Sequence, residues 1–209
     1  MQIPDDRIDQ TRRRPIPVKL GRALEDFQSR PDRDPQRQIE VQRWCVNQLR
    51  LKGVEGALTE VQLPGAYRAK NWDVALVSGG EPQLAISCKS IVRNIPGTVP
   101  NRLDDMLGEA VNLHREFPKA VIGYLILLGA TDGRDDKNMD HWFDRCGARL
   151  GLCGPRQSAD QHAEKWEALC LLQLPLGHEM SWMKSHPACD QLPNFFSRLA
   201  EQHQLRFGA

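Results

Sequence analysis

What the chain lacks narrows its function first. No apolar run reaches the roughly eighteen residues that a membrane-crossing helix needs, and residues 1 to 30 are polar and charged rather than an apolar export signal. A cytoplasmic protein with no membrane partner is therefore expected. No CxxC pair occurs, and the six cysteines (Cys45, Cys88, Cys146, Cys153, Cys170 and Cys189) are widely spaced, so reduced thiols are expected rather than a disulfide framework. His141, Cys146, Cys153 and His162 have spacings that fit no common zinc finger or ribbon. There is no overall basic excess, because the net charge is only +1, and so the composition does not announce a nucleic-acid binder. A local basic surface and a local acidic site would cancel in that sum. Internal repeats and low-complexity segments are absent as well.

What is present is a chain of 209 residues with an ordinary 40% hydrophobic content, which suits one domain with a sizeable core. Residues 1–34 carry charge and several prolines around a short possible helix at Leu20 to Phe27, and read as an N-terminal arm. Residues 35–209 read as the single domain. From Pro35 to Leu51, Val41, Trp44, Cys45 and Leu49 form a helical stripe that Lys52-Gly53 ends. Ala57 to Leu63, Tyr67 to Val77 and Gln83 to Lys89 read as strands, the last two joined across Ser78 to Pro82. Asn94 to Pro100 is expected to be a loop, with Asn101 capping a helix to about Glu116. Ala120 to Leu128 reads as a buried strand, Asp132 to Asp136 as a charged turn, and Lys137 to Leu150 and Ser158 to Lys165 as helices. Trp166 to Leu174 reads as another buried strand and Leu192 to Gln204 as an amphipathic closing helix. The order predicts an α/β domain with a central mixed β-sheet flanked by helices.

The chemistry concentrates between Asn71 and Asn112. With the hairpin turn centred on Glu81, Asp73 is expected across from Lys89, and directly opposed residues have Cβ atoms roughly 4.5 to 5.5 Å apart. On the second strand Ser87 and Lys89 share a face, because side chains alternate. On the next helix Arg102 and Glu109 flank one side of the apolar stripe, Asp104 lies on the other, and Asp105 points farther out. Glu40 stands near the first turn of its helix, either as a dipole-matching surface charge or as a carboxylate leaning into the site. Phosphodiester hydrolysis uses a divalent cation such as Mg²⁺, held by carboxylate oxygens, to bind the phosphate and lower the pKa of a water. Asp73 and Lys89 are of the right types, although the same two residues also make an ordinary cross-strand ion pair. Arg12, Arg13, Arg14, Lys19, Arg22, Arg93 and Arg102 are candidates for phosphate contacts or plain surface charges.

Three segments carry a resemblance. They are Leu63-Pro-Gly-Ala-Tyr-Arg-Ala-Lys-Asn-Trp-Asp73-Val, Ile86-Ser-Cys-Lys89-Ser90, and Asn101-Arg-Leu-Asp104-Asp105-Met-Leu-Gly-Glu109-Ala110. Together they resemble the core of PD-(D/E)XK nucleases, and are most similar to type II restriction endonucleases with Pro-Gly-Tyr, Trp-Asp, Glu-x-Lys-Ser and Asn-Arg motifs. The resemblance implies a restriction-endonuclease-like core, Asp73 as a metal ligand, Lys89 as the active-site lysine and Glu40 as the first-helix glutamate. It implies Mg²⁺ or Mn²⁺ as cofactor and double-stranded DNA as substrate. A homodimer and a cognate DNA methyltransferase are the partners such a system has. One departure stands out: Ser87 occupies the place of the usual Glu or Asp. Some members with Ser-x-Lys recruit a carboxylate from the following helix, where this chain has Asp104, Asp105 and Glu109. The alternative is a catalytically silent nuclease fold that binds DNA, and a third reading is a nuclease for RNA or branched DNA.

Overall fold

The computed structural model describes residues 13–31, 34–129, 138–175 and 181–208. Among these, seven strands form one mixed sheet in the order β1-β7-β6-β5-β4-β3-β2. They are β1 (Arg14–Pro15), β2 (Leu58–Leu63), β3 (Lys70–Ser78), β4 (Glu81–Ile91), β5 (Val121–Leu128), β6 (Ala168–Gln173) and β7 (Trp182–Ser185). β4, β5 and β6 run parallel, and the flanking pairs are antiparallel. Helices α1 (Val18–Ser29), α2 (Ile39–Leu51) and α5 (Leu192–Phe207) share one core with Val74, Leu84, Ile86, Leu125 and Cys170. Helices α3 (Ile95–Glu116) and α4 (Met139–Gly151) share the other with Ala75, Ala85, Tyr124, Ile126 and Leu171. This is the expected α/β architecture, a central mixed sheet with helices on both faces. No helix among the described residues is long and apolar enough to cross a membrane.

The local chemistry explains most boundaries. Helix α2 ends in a paired 6→1 and 5→2 bond set: Val54 N donates to the Leu49 carbonyl and Gly53 N to that of Arg50. Gly53 holds the left-handed conformation this motif requires, with φ of 83°. Strand β5 is buried at every position, as a parallel strand covered on both faces must be. From the segment read as an arm, α1 buries Leu20, Ala23, Leu24 and Phe27 in the core.

Three expectations are corrected. The hairpin turn is two residues, Gly79-Gly80, both with positive φ, rather than a loop centred on Glu81. A bulge between Leu76 and Val77 then shifts the register by one, so Val74 pairs with Ile86 and Asp73 comes across from Ser87 instead of Lys89. Residues 95–100 are helical rather than a loop: Asn94 caps α3 from the left-handed region, Pro96 sits near the start where its missing N–H is harmless, and Pro100 is carried inside. Ile95 and Val99 extend the buried stripe and offset the bond that Pro100 forgoes. Residues 158–165 form turns rather than a helix. Arg156 donates to the carbonyls of Ala159 and Gln161, acceptors that a regular helix would have kept for its own N–H groups. The charged turn expected at Asp132 to Asp136 lies outside the described residues.

The end of the sheet where β5 and β6 begin is tied by one buried carboxylate. Glu167 accepts from Arg206 at 2.8 Å, from Arg156 at 3.3 Å and from Ile122 N at 2.7 Å. His114 Nε2 lies 3.5 Å away. Burial pushes the Glu167 carboxyl up, but His114, Arg206 and the Ile122 N–H together hold it below the usual glutamate value. A depressed folded-state pKa stabilises above the unfolded pKa and loses that stabilisation as pH falls through the folded one. Glu167→Gln should therefore cost about 3–5 kcal/mol near neutral pH. In urea denaturation the gap from wild type should narrow steadily as the pH drops below the ordinary glutamate range.

Candidate functional site

At the opposite end, β3 and β4 part. Their pairing runs from Ser78–Glu81 to Val74–Ile86, while β4 continues to Ile91 against β5. Beyond Ile86 the backbone of β4 has lost its β3 partner, and a buried N–H there needs another acceptor. Asp73 supplies it. Its Oδ2 accepts the Cys88 N–H at 2.7 Å and the Ser87 hydroxyl at 3.0 Å, and its Oδ1 accepts from Gln42 Nε2 at 3.0 Å. The fully buried Ser87 is therefore a donor that orients Asp73, not a vacant acid position.

Two residues after Ser87, on the same face, Lys89 reaches α3, where its Nζ donates to Glu109 Oε1 at 2.7 Å. Lys70, at the start of β3, lies 3.5 Å from the same oxygen, with its ammonium 4.2 Å from the centre of the Trp72 ring. Glu109 is only 7% exposed, and its other oxygen, Oε2, is buried with no hydrogen-bond partner. Tyr124 lies close enough for its hydroxyl to interact with the Glu109 carboxylate, but its shortest hydrogen bond is to the Met106 carbonyl at 2.8 Å. Burial, and next the charge of Glu109, push the Tyr124 hydroxyl well above its ordinary pKa, so it stays neutral.

The structure thus brings Asp73, Ser87, Lys89 and Glu109 together and leaves the other expected acids outside. Asp104 is exposed. Asp105 pairs with Arg102 at 3.2 Å on the helix surface. Glu40, 37% exposed at its side chain, pairs with Arg43, and the residue of α2 that enters the site is Gln42. Arg93 is exposed just before α3, and Arg102, within α3, is half-buried. Glu109 arrives because Met106, Ala110 and Leu113 bury their side of α3, which turns position 109 inward and positions 104 and 105 to solvent.

Lys70, Gln42, Glu60 and Asn112 are additions that the sequence reading missed. Gln42 bridges Asp73 and Glu60, donating to Glu60 Oε1 at 2.5 Å, while its own Oε1 is buried without a partner. Glu60 sits opposite Asp73 with a positive φ of 54°, a conformation that non-glycine residues rarely adopt. The signal for Gln42 was available, since a polar residue directly beside Val41, one turn before Cys45 and two before Leu49, stands on the buried stripe. Asn112 on α3 clamps the loop that leads into β3: its Oδ1 accepts from Tyr67 N and Arg68 N, and its Nδ2 donates to the Arg68 carbonyl. A Cβ on Gly65 would stand 2.2 Å from Asn112 Nδ2, which explains the Pro64-Gly65 pair.

The electrostatics set limits on what the site can hold. Burial pushes the Asp73 carboxyl up by more than the Cys88 N–H, Lys70, Ser87 and Lys89 bring it down. A carboxyl raised in this way costs stability once it ionises, and that cost is relieved by a bound cation. Burial likewise lowers the Lys70 ammonium, against the pull of Glu109 and with the push of Lys89. Among the described residues no group of three or more His, Cys, Asp or Glu side chains could hold a metal ion. Asp73 and the bare Oε2 of Glu109 are the hard oxygen donors on the lysine side of the site, and exposed Glu60 is a third carboxylate beside Asp73. That set fits Mg²⁺ or Mn²⁺, since Mg²⁺ keeps several waters and takes one or two carboxylates plus substrate phosphate oxygens.

No family model, no curated protein and no solved structure matches this chain.

Two outcomes follow from the geometry. Mg²⁺ or Mn²⁺ should raise the thermal midpoint of the wild-type protein, by the equivalent of about 2.7 kcal/mol at one hundred times the dissociation constant. Glu109→Gln should abolish most of that shift in a melting titration. Gly65→Ala should cost about 1–3 kcal/mol in denaturant unfolding by pushing Asn112 off the loop it satisfies.

Proposed function

We propose that this protein is a Mg²⁺- or Mn²⁺-dependent endonuclease of the PD-(D/E)XK kind that hydrolyses phosphodiester bonds of double-stranded DNA. The observation that carries the reading is the buried, unpartnered Oε2 of Glu109, held beside Lys89 on the helix that follows the Asp73 hairpin. A buried carboxylate oxygen with nothing to accept is costly unless a ligand completes it. The run α2, β2, β3, β4, α3, β5 also follows the helix, three-strand, helix, strand order of the resembling enzymes.

In this reading Glu109 replaces the acid missing at Ser87, and Asp73 and Glu109 are the metal-holding carboxylates. The bound cation would supply a Lewis acid for the phosphate and a water of lowered pKa. Ser87 and the Cys88 N–H hold the Asp73 carboxylate in one orientation, and Gln42 braces it from α2. Lys89 orients the attacking water or offsets charge building on the phosphate. Exposed Arg93 and half-buried Arg102 are the candidates for contacts to the DNA backbone in this reading. A homodimer would put one site on each strand of a palindromic target, and a cytoplasmic restriction or defence system with a cognate methyltransferase is the setting for such an enzyme.

The competing reading is a silent nuclease fold that binds DNA, favoured by the two lysines that already neutralise Glu109. Supercoiled plasmid incubated with Mg²⁺ or Mn²⁺ separates the two. The wild type should nick and linearise it, EDTA should stop the reaction, and Lys89→Ala should slow it on the order of 10²-fold or more. Equal products from wild type and Lys89→Ala would remove the nuclease reading. Binding that persists in EDTA with no cleavage would establish the silent one, and cleavage confined to RNA or branched DNA would reassign the substrate.

A further inference from the structure

Two ammonium groups converge on one oxygen of Glu109, yet a single carboxylate carries only one negative charge. Asp73 is the nearest half-buried acid on β3, and its oxygens are taken up by Ser87, Cys88 N and Gln42. Lys70 and Lys89 are both largely buried, with side chains 16% and 12% exposed. Lys70 is not an incidental surface residue: Asn112, three residues after Glu109, fastens residues 67 and 68 to α3 and so fixes where β3 begins. The Trp72 ring then supports the ammonium from one side. A lysine buried for structure alone would be poorly chosen, since an apolar side chain would cover Trp72 without the desolvation cost of a charge.

We propose that Lys70 is a second phosphate-binding cation of this site, which grips the DNA backbone together with Lys89. The charge count supports this, and it rests on the nuclease reading above. Asp73 and Glu109 supply two negative charges and the two lysines two positive ones. A divalent cation held by both carboxylates would leave both ammonium groups without their counter-charge. Two ammonium groups that already reach one carboxylate oxygen can equally reach one phosphate oxygen, which has similar charge and hydrogen-bonding capacity.

The test measures the salt dependence of binding to a duplex oligonucleotide at a fixed Ca²⁺ concentration, so that the carboxylates carry a divalent ion, beside cleavage of plasmid with Mg²⁺, for wild type, Lys70→Met and Lys70→Arg. Methionine suits the Trp72 face and keeps the fold, which a thermal melt verifies. Losing one phosphate contact should make the slope of log K against log salt shallower by about 0.9. Lys70→Met should show that change and a single-turnover rate at saturating DNA lower on the order of 10²-fold. Lys70→Arg should recover the wild-type slope, and if Lys70→Met does not fold, Lys70→Gln against Lys70→Arg gives the same comparison. Cleavage by the wild type with an unchanged slope and rate in Lys70→Met would overturn the role of Lys70 and leave the nuclease reading intact. A shallower slope in Lys70→Met with no wild-type cleavage under either cation would uphold the phosphate contact and remove the nuclease reading.

Discussion

The hydrogen bond from the Cys88 N–H to Asp73 is the contact on which the open end of the sheet depends. Two adjacent strands can separate inside a protein only if the backbone groups they release find other partners. A carboxylate serves well, because it can accept from the freed N–H, from the Ser87 hydroxyl and from Gln42 at once. The end where β3 and β4 part is tied by the same acid proposed to bind the cation. Burial raises the pKa of Asp73, and the Cys88 N–H, Lys70, Ser87 and Lys89 offset only part of that rise.

Around this point the frame is stiff. Glu167 gathers Arg156, Arg206, His114 and the Ile122 N–H at the far end of the parallel strands, joining α3, α5, β5 and the turns before β6. Asn112 stitches the Gly65 loop to α3, so Lys70 and Glu109 are positioned by a single helix. Position 123 has no side chain, and there a Cβ would meet Leu199 and Phe195 at 3.0 Å, which shows how closely α5 lies on β5. Rigid supports of this kind let a site keep bare polar atoms such as Glu109 Oε2 without collapsing onto them.

Much of the fold could be read locally. The stripe of Val41, Trp44, Cys45 and Leu49, the apolar run of β5 and the Phe-rich α5 are periodic signals strong enough to survive tertiary context. Asn94 to Pro100 misled because two prolines usually mark a loop, whereas Ile95 and Val99 had core partners that paid for the helix. Residues 158–165 misled in the other direction. Their helix-forming composition yielded to Arg156, a residue outside the segment whose guanidinium captured its carbonyls. The short strands β1 and β7 gave no local signal, since each exists only through the partner it pairs with.

For the candidate site, residue types and order were enough to single out Asp73, Ser87, Lys89 and a shortlist of acids on the following helix. They also placed the acids on an element that follows the hairpin, because chain order alone requires it. Choosing Glu109 over Asp104 and Asp105 depended on how α3 is rotated against the sheet, and that rotation is set by Met106, Ala110 and Leu113 packing on residues far away in sequence. Replacing Glu40 by Gln42, and Lys89 by Ser87 as the residue facing Asp73, depended on which face of α2 meets the sheet and on the register set by the Gly79-Gly80 turn and the bulge between Leu76 and Val77. A shift of one or two positions leaves the composition of a segment unchanged but redirects every side chain in it. Composition and order therefore named the residues, while packing and register decided which of them meet.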